Sequence, residues 1–361
     1  GATVARRRCL QHRHMLRTAA IAAAGAAVAA CLYALTRRPR LAFDLPGTMS
    51  AIVARDAACT VVTVPTPQPA AGEVLIQVRA TAINRLDVMQ RRGKSPVPKG
   101  VTEVLGLEAA GIVVATSSAA FEVGDEVLAL VPGGSYAEYV AVDATTVMRK
   151  PRSMSWAEAA SVPEAWLTAS LNLRLANVSP GETVLIHAAA SGVGVASVQL
   201  ARAAGARVLV TVGSAAKLEL AQSLGASGGA LRHDGPWLEA VRAAAPGGKV
   251  DAVLDCVAGA YAEQNVEALG VDGRWVLYSL LSGPEMPEGL AKGFLATLMK
   301  KRVQLLATTL RTRSRPFKKE LVDAFAAQVL PHIGSRFRHV IDKEFDGLAS
   351  AQAAHDYLES N

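Results

Sequence analysis

The segment Val184-Leu-Ile-His-Ala-Ala-Ala-Ser-Gly-Val-Gly194 constrains this chain more than any other. An uninterrupted apolar run ends in residues too small to block a close approach, and a helical pattern follows at once. Such a strand-to-helix turn presents free main-chain N–H groups and the positive end of a helix dipole to an anion. Gly192 and Gly194 permit the tight turn. The spacing approaches G-x-G-x-x-G, with alanine in the first positions, and its meaning comes from its place between strand and helix.

The surroundings supply that place. From Thr183 onward, apolar runs alternate with helical periodicity. Strands are expected at 183–188, 207–212, 250–256 and 274–278, with helices at 193–204 and 215–224. This βαβα rhythm predicts a doubly wound parallel sheet. Upstream, Glu73–Arg79 alternates apolar and polar, 110–115 is strand-rich, and Pro132-Gly-Gly-Ser135 reads as a loop. Helices are expected at 156–161 and 166–176, and again at 318–330 and 349–358. The fold class is α/β, with a β-rich unit split around a parallel-sheet unit. The expected division is 1–48 as a leader, 49–165 as the first β-rich part, 166–298 as the nucleotide-binding unit and 299–361 as the resumed part.

Charge is confined to the leader. Residues 1–47 hold eight arginines against the single acid Asp44, which accounts for the whole formal excess of +7. The body is neutral and has no general field for nucleic acid. The run Ala19–Leu35 has 17 uncharged residues, ten of them alanine. That is short beside the roughly 20 residues of a membrane span. A membrane anchor, a mitochondrial-type presequence and translated upstream sequence without a role all remain open. The protein is correspondingly expected at a membrane or in mitochondria, and otherwise in the cytoplasm. Four cysteines without a C-x-x-C spacing exclude a disulfide scaffold and a zinc knuckle.

The strand after the phosphate loop bears on the cofactor. It ends Val210-Thr-Val-Gly-Ser214, without the Asp or Glu that holds a ribose 2′-OH in NAD sites. Ser214, Lys217 and Arg232 instead suit a 2′-phosphate, so NADPH is expected. His187 lies in an apolar strand and reads as a satisfied core residue. The other histidines show no ligand spacing. The basic stretch 300–319 has no aromatic platform beside it and reads as a solvated face.

Several segments together resemble a family. Asn84-Arg-Leu-Asp-Val-Met-Gln-Arg-Arg-Gly93, Leu105-Gly-Leu-Glu-Ala-Ala-Gly111, Pro163-Glu-Ala-Trp-Leu-Thr168, Ile186–Gly194 and Asp272-Gly-Arg-Trp-Val-Leu-Tyr278 look like the zinc-independent medium-chain dehydrogenase/reductases. Within them the likeness is to the NADPH:quinone oxidoreductase, zeta-crystallin-like branch, and most of all to its tumour-suppressor-inducible members. It covers about residues 49–361, in order. The resemblance implies a GroES-like β-rich domain split around a Rossmann domain, NADPH in the cleft, and homodimers joined through Rossmann sheet edges. It implies dinucleotide contacts at Ser191, Gly192, Val193, Gly194, Gly213, Ser214, Lys217 and Arg232. The nicotinamide side falls at Asn84, Met89, Tyr278 and Leu280, with Thr309 and Leu310 closing the cleft.

Zinc-dependent relatives carry Cys where Asn84 stands and His where Leu107 stands, so no metal is expected. Catalytic zinc needs about three protein ligands. Asn84 is expected to hydrogen-bond the cofactor carboxamide or the acceptor carbonyl, and Asp87 to orient its neighbours or to cap a turn. The reaction expected is hydride transfer from NADPH to a quinone or another electrophilic carbonyl or enone. The alternatives are a 2-enoyl-thioester reductase and a non-catalytic NADPH-binding protein. Relatives often place Tyr two residues after the glycine matched by Gly93. Ser95 stands there, which counts against the enoyl reductase. The family also continues past a segment like Tyr357–Asn361 into another strand, so the chain is expected either to be a fragment at that end or to lack one strand.

Overall fold

The structure is a computed structural model and describes residues 45–285 and 293–360. The apolar run at 19–35 lies outside them. Among the described residues, no helix is long and apolar enough to cross a membrane.

The chain enters through the hairpin β1 (Thr48–Arg55) and β2 (Ala58–Pro65), then β3 (Glu73–Thr81), helix α1 (Arg85–Arg91), β4 (Glu108–Thr116), β5 (Glu126–Leu130), β6 (Tyr139–Asp143) and β7 (Val147–Arg149). Helices α2 (Trp156–Ala160) and α3 (Pro163–Ala176) follow. Alternation then begins: β8 (Thr183–His187), α4 (Gly192–Ala203), β9 (Arg207–Val212), α5 (Ala215–Ser223), β10 (Gly228–Leu231), α6 (Trp237–Ala244), β11 (Val250–Asp255), α7 (Ala262–Ala268) and β12 (Leu269–Leu277). Helix α8 (Phe294–Lys301), β13 (Gln304–Ala307), α9 (Arg315–Gln328) and α10 (Ala351–Ser360) complete it.

Strands β3 to β7 form an antiparallel sheet in the order β6-β3-β4-β5-β7. Val74, Ile76, Val113, Val127 and Val140 point to one buried face. The later strands form a parallel sheet ordered β10-β9-β8-β11-β12-β13. All five residues of β8 are buried, as expected for a central parallel strand covered on both faces. The order reverses between β8 and β11, and open α/β sheets bind ligands at the carboxyl ends of strands at such a reversal.

Helix α3 joins the two sheets. Trp166, Leu167 and Leu171 pack with Leu128 and Leu130 of β5 and with Leu321 and Phe325 of α9 in one core. Phe325 is 2% exposed, and removing such a ring costs about 3–5 kcal/mol. The C-terminal segment returns to the opening hairpin and nearby loops: Leu348 and Ala351 pack on Ile52 of β1, Leu105 and Tyr136. Arg91 pairs with Glu359, and Arg85 Nη2 donates to the Leu358 carbonyl at 3.2 Å. Gln304–Ala307, which the sequence reading set beyond the parallel-sheet unit, pairs with Arg274–Leu277 as the sheet's last strand.

The basic stretch is not a plain solvated face. Lys301 Nζ donates to the carbonyls of Val266, Glu267 and Leu269, which lie at the C-terminal end of α7 and just beyond it. Lys318 Nζ donates to the Arg311 carbonyl at 2.7 Å.

Candidate active site

The site has a dinucleotide end and an acceptor end. Ser191 caps α4, its hydroxyl accepting the Gly194 N–H at 3.1 Å. A Cβ on Gly194 would come within 2.5 Å of the Ala188 carbonyl, so only glycine lets the helix sit this close to the loop. Ser191 and Gly192 are exposed and Val193 is half-buried. The N-terminus of a 12-residue helix is therefore open at the carboxyl end of β8, where an anion is favoured. At the end of β9, Ser214 caps α5, accepting the Lys217 N–H at 3.4 Å. The Arg232 guanidinium lies against Gly213, where a Cβ would be 3.4 Å from its Nε. Arg232 Nε also donates to His233 Nε2 at 2.9 Å. Gly213, Ser214, Lys217 and Arg232 thus sit together, and no acid occupies the strand end.

Beneath the loop lies a closed polar network. His187 is fully buried, with Nδ1 at 2.8 Å from Thr211 Oγ1 and Nε2 at 2.7 Å from Asn265 Oδ1. Asn265 Nδ2 and Trp275 Nε1 both donate to Asp255 Oδ2. Burial holds the imidazole pKa below its usual value, so His187 is the satisfied core residue expected.

The acceptor end is built on α1. Asn84 is its N-cap, with extended backbone, and Asp87 is the third residue of the capping box. Asp87 Oδ2 accepts the Asn84 N–H at 2.8 Å and Oδ1 accepts the Gly106 N–H at 3.1 Å. Gly106 has φ +100°, and a Cβ there would meet Ser135 Oγ at 2.2 Å, so this contact requires glycine. The Tyr136 hydroxyl lies 3.3 Å from His355 Nε2. At 1% exposure Asp87 is a buried cap. Its carboxylate engages the Asn84 and Gly106 main chain, the neighbour-orienting, turn-capping arrangement expected as one of its roles.

Asn84 Nδ2 donates to Glu108 Oε1 at 2.7 Å, and the Glu164 main-chain N–H donates to Glu108 Oε2 at 2.8 Å. Next along α3, Ala165 packs on the phosphate loop, its Cβ 3.4 Å from where a Cβ on Gly192 would stand. Two hydrogen bonds thus link Asn84 to α3, whose next residue, Ala165, stands near Gly192. Burial is the largest effect on each carboxyl in this group. It pushes Asp87 up to about 7, Glu108 to about 8 and Glu164 to about 7. Hydrogen bonds to Asp87 and Glu108 pull their values partly back.

Glu108 and Glu164 lie inside motifs whose meaning the sequence reading recognised, yet neither stood out. The available signal was a carboxylate flanked by Leu107 and Ala109, which a buried strand tolerates only with partners.

Other expected positions divide. Met89 and Tyr278 are half-buried. Leu280 is 43% exposed. Thr309 is exposed and shares a 2.7 Å hydrogen bond with Thr312. Leu310 is 5% exposed and packs in the core around Trp166 and Phe325. Leu107 offers no donor atom. Among the described residues, no three His, Cys, Asp or Glu side chains are grouped to hold a metal ion. The residues at this end therefore do not fit a zinc ion.

Residues 70–152 match the alcohol dehydrogenase GroES-like domain and residues 192–327 match the zinc-binding dehydrogenase family. A quinone oxidoreductase from Thermus thermophilus, solved alone and with NADPH, is 31% identical, with 86% of this chain and 96% of that one covered at a TM-score of 0.71. The chain belongs to the medium-chain dehydrogenase/reductase family. Its other relatives in that family spread across chemistries. The CurK enoyl reductase is 26% identical, with 86% of this chain and 96% of that one covered at a TM-score of 0.75. The pikromycin polyketide synthase component PikAII of Streptomyces venezuelae is 39% identical over 216 residues, 58% of this chain. The chain spans only 6% of that synthase's length.

Proposed function

We propose that this chain is an NADPH-dependent reductase that passes a hydride to a quinone or another electrophilic carbonyl or enone without zinc, as in the quinone oxidoreductase branch of its family. The observation that carries this reading is the continuous line from the phosphate loop through Ala165, Glu164 and Glu108 to Asn84. It supports a reading in which the Asn84 amide serves the acceptor end where zinc-dependent relatives carry a cysteine. Asn84 is the group placed to hydrogen-bond a carbonyl, and Asp87 holds it there.

The residues fit NADPH. Ser191, Gly192, Val193 and Gly194 would hold the pyrophosphate, and Gly213, Ser214, Lys217 and Arg232 the 2′-phosphate. The nicotinamide supplies the hydride when bound. The protein orients it and keeps water away. Residues 49–165 and the chain after β13 would form the catalytic unit around the Rossmann sheet. The test is nicotinamide oxidation by the purified chain with a quinone, using NADPH and NADH in parallel.

A second reading, a 2-enoyl-thioester reductase, has support in the likeness to the CurK enzyme and the polyketide synthase. Ser95, in place of a phenol donor, weighs against it. Reduction of a crotonyl thioester faster than any quinone would favour it.

The proposed assembly is a homodimer through the β13 edge. Met299 (82% exposed), Leu295 (74%), Val271 (60%) and Leu305 (46%) surround that edge, and an unpaired apolar strand edge invites a partner strand. Light scattering on the full chain tests it, and a monomer at micromolar concentration would sink it.

A further inference from the structure

A cavity of about 220 Å³ opens beside the acceptor end, lined by Leu130, Val131, Pro132, Glu164, Arg311 and Lys318 among others. Glu164 ties it to the site already described, because its main-chain N–H holds Glu108 while its side chain faces the cavity. Two groups here lack partners. No hydrogen bond or ion pair within the described structure engages the Glu164 carboxyl. Arg311 Nε donates to the Pro132 carbonyl at 2.7 Å, but its Nη2 is buried without a partner. A buried donor left unmade costs about 1–3 kcal/mol, so such a group asks for a ligand or a function.

We propose that this cavity receives the reacting end of the acceptor, that Glu164 gives the reduced oxygen its proton, and that the Arg311 guanidinium steadies the negative charge formed there. The proposal rests on the reductase reading and assigns the acceptor side of that same site. Drug-sized pockets run from about 300 to 1,000 Å³. This smaller space suits a one- or two-ring quinone and excludes a long acyl chain held along its length.

The chemistry balances without a further reactant. Hydride addition to the quinone brings an electron pair to a carbonyl oxygen. The O–H bond of the Glu164 carboxyl breaks, a new O–H bond forms on that oxygen, and Glu164 is left as a carboxylate. NADPH is oxidised by two electrons and the quinone is reduced by two. Water reaching the cavity returns the proton to Glu164.

The environment keeps that proton available near neutrality. Glu164 is half-buried as a residue, because part of it lines the cavity, yet the protein around it still pushes its carboxyl up to about 7. Asp87 from α1 raises it further, while Arg311 and Lys318 lower it. Glu108 from β4 is its nearest carboxyl neighbour along the chain of hydrogen bonds. Across the cavity, Arg315 of α9 is paired with Asp143 of β6, and Glu73 of β3 lies at the wall. A carboxyl so placed meets the requirement that a general acid titrate near the working pH.

The test uses the full chain, menadione as the acceptor probe, and Glu164→Gln, Glu164→Asp and Arg311→Leu variants. Wild type should lose kcat/KM as pH rises through about 7, tenfold per further unit, since the acid form is required. Glu164→Gln should fall about 100-fold and lose that pH dependence, and Glu164→Asp should restore part of both. NADPH affinity, read by fluorescence, should stay within about twofold in all three. Menadione binding to the NADP⁺-saturated protein, read by calorimetry, should weaken about tenfold in Arg311→Leu and little in Glu164→Gln. If wild type reduces menadione and Glu164→Gln keeps its rate and pH profile, the proposal is overturned and the reductase reading stands. If wild type reduces no acceptor, that reading fails. The calorimetry then decides the cavity: binding that is absent, or indifferent to Arg311→Leu, overturns the site.

Discussion

The side-chain amide of Asn84 donates to Glu108 Oε1 at 2.7 Å, inside a strand where Glu108 itself is 1% exposed. Both Glu108 oxygens are occupied, one by each half of the site. The arrangement makes Glu108 a junction whose loss would loosen α1 and α3 together. Asn84→Ala should therefore cost about 1–3 kcal/mol in urea unfolding, because it leaves a buried acceptor unmade. It should also lower kcat with a quinone while leaving NADPH affinity unchanged. A variant as stable and as active as wild type would contradict both roles.

The raised carboxyl values give stability a pH dependence whose sign follows from linkage. Asp87 and Glu108 titrate at about 7 and about 8 in the folded protein because burial disfavours their charged forms. Unfolded, they titrate near 4. Their protonated forms thus favour folding fully below about pH 4, and that contribution is lost as pH rises through about 7 to 8. Thermal melts should show the protein less stable at about pH 9 than at about pH 6. Glu108→Gln should flatten part of that decline. An unchanged slope in the variant would show that Glu108 is not desolvated as described.

Cofactor choice rests on the end of β9. Lys217→Ala should weaken NADPH binding about tenfold, or ~1.4 kcal/mol, and NADH hardly at all. Arg232→Ala should act in the same direction. Equal losses for both dinucleotides would remove these residues from the 2′-phosphate site.

Gly194 has no room for a side chain. Its Cβ would stand 2.5 Å from a carbonyl oxygen and 2.6 Å from Ala189 backbone atoms, and neither can swing away as a side-chain end does. Gly194→Ala should destabilise by more than about 2 kcal/mol and abolish dinucleotide binding. A stable variant that still binds NADPH would mean that the loop is more pliant than its contacts indicate.

Much of this was legible in the sequence because local pattern carried it. The limits of β9 come directly from the apolar run Val208–Val212, and the phosphate loop was placed by the strand before it and the helix after it. His187 was readable as core because it stands in an apolar strand. The acceptor end was harder. The pairing of Asn84 with Glu108 spans 24 residues, and that of Glu108 with Glu164 spans 56. No periodicity announces such contacts. Asp87 satisfies the spacing of both a catalytic carboxylate and a helix cap, and the sequence does not show that it is buried. Strand β13 is four residues long and largely exposed, too short and too open for its apolar pattern to reveal the parallel sheet it joins.

The most direct test of the account is the oxidation of NADPH by the purified full chain, with and without an ortho-quinone, beside the same assay with NADH. The account predicts quinone-dependent oxidation that prefers NADPH. NADPH binding without turnover of any quinone or enone, or a preference for NADH, would contradict it.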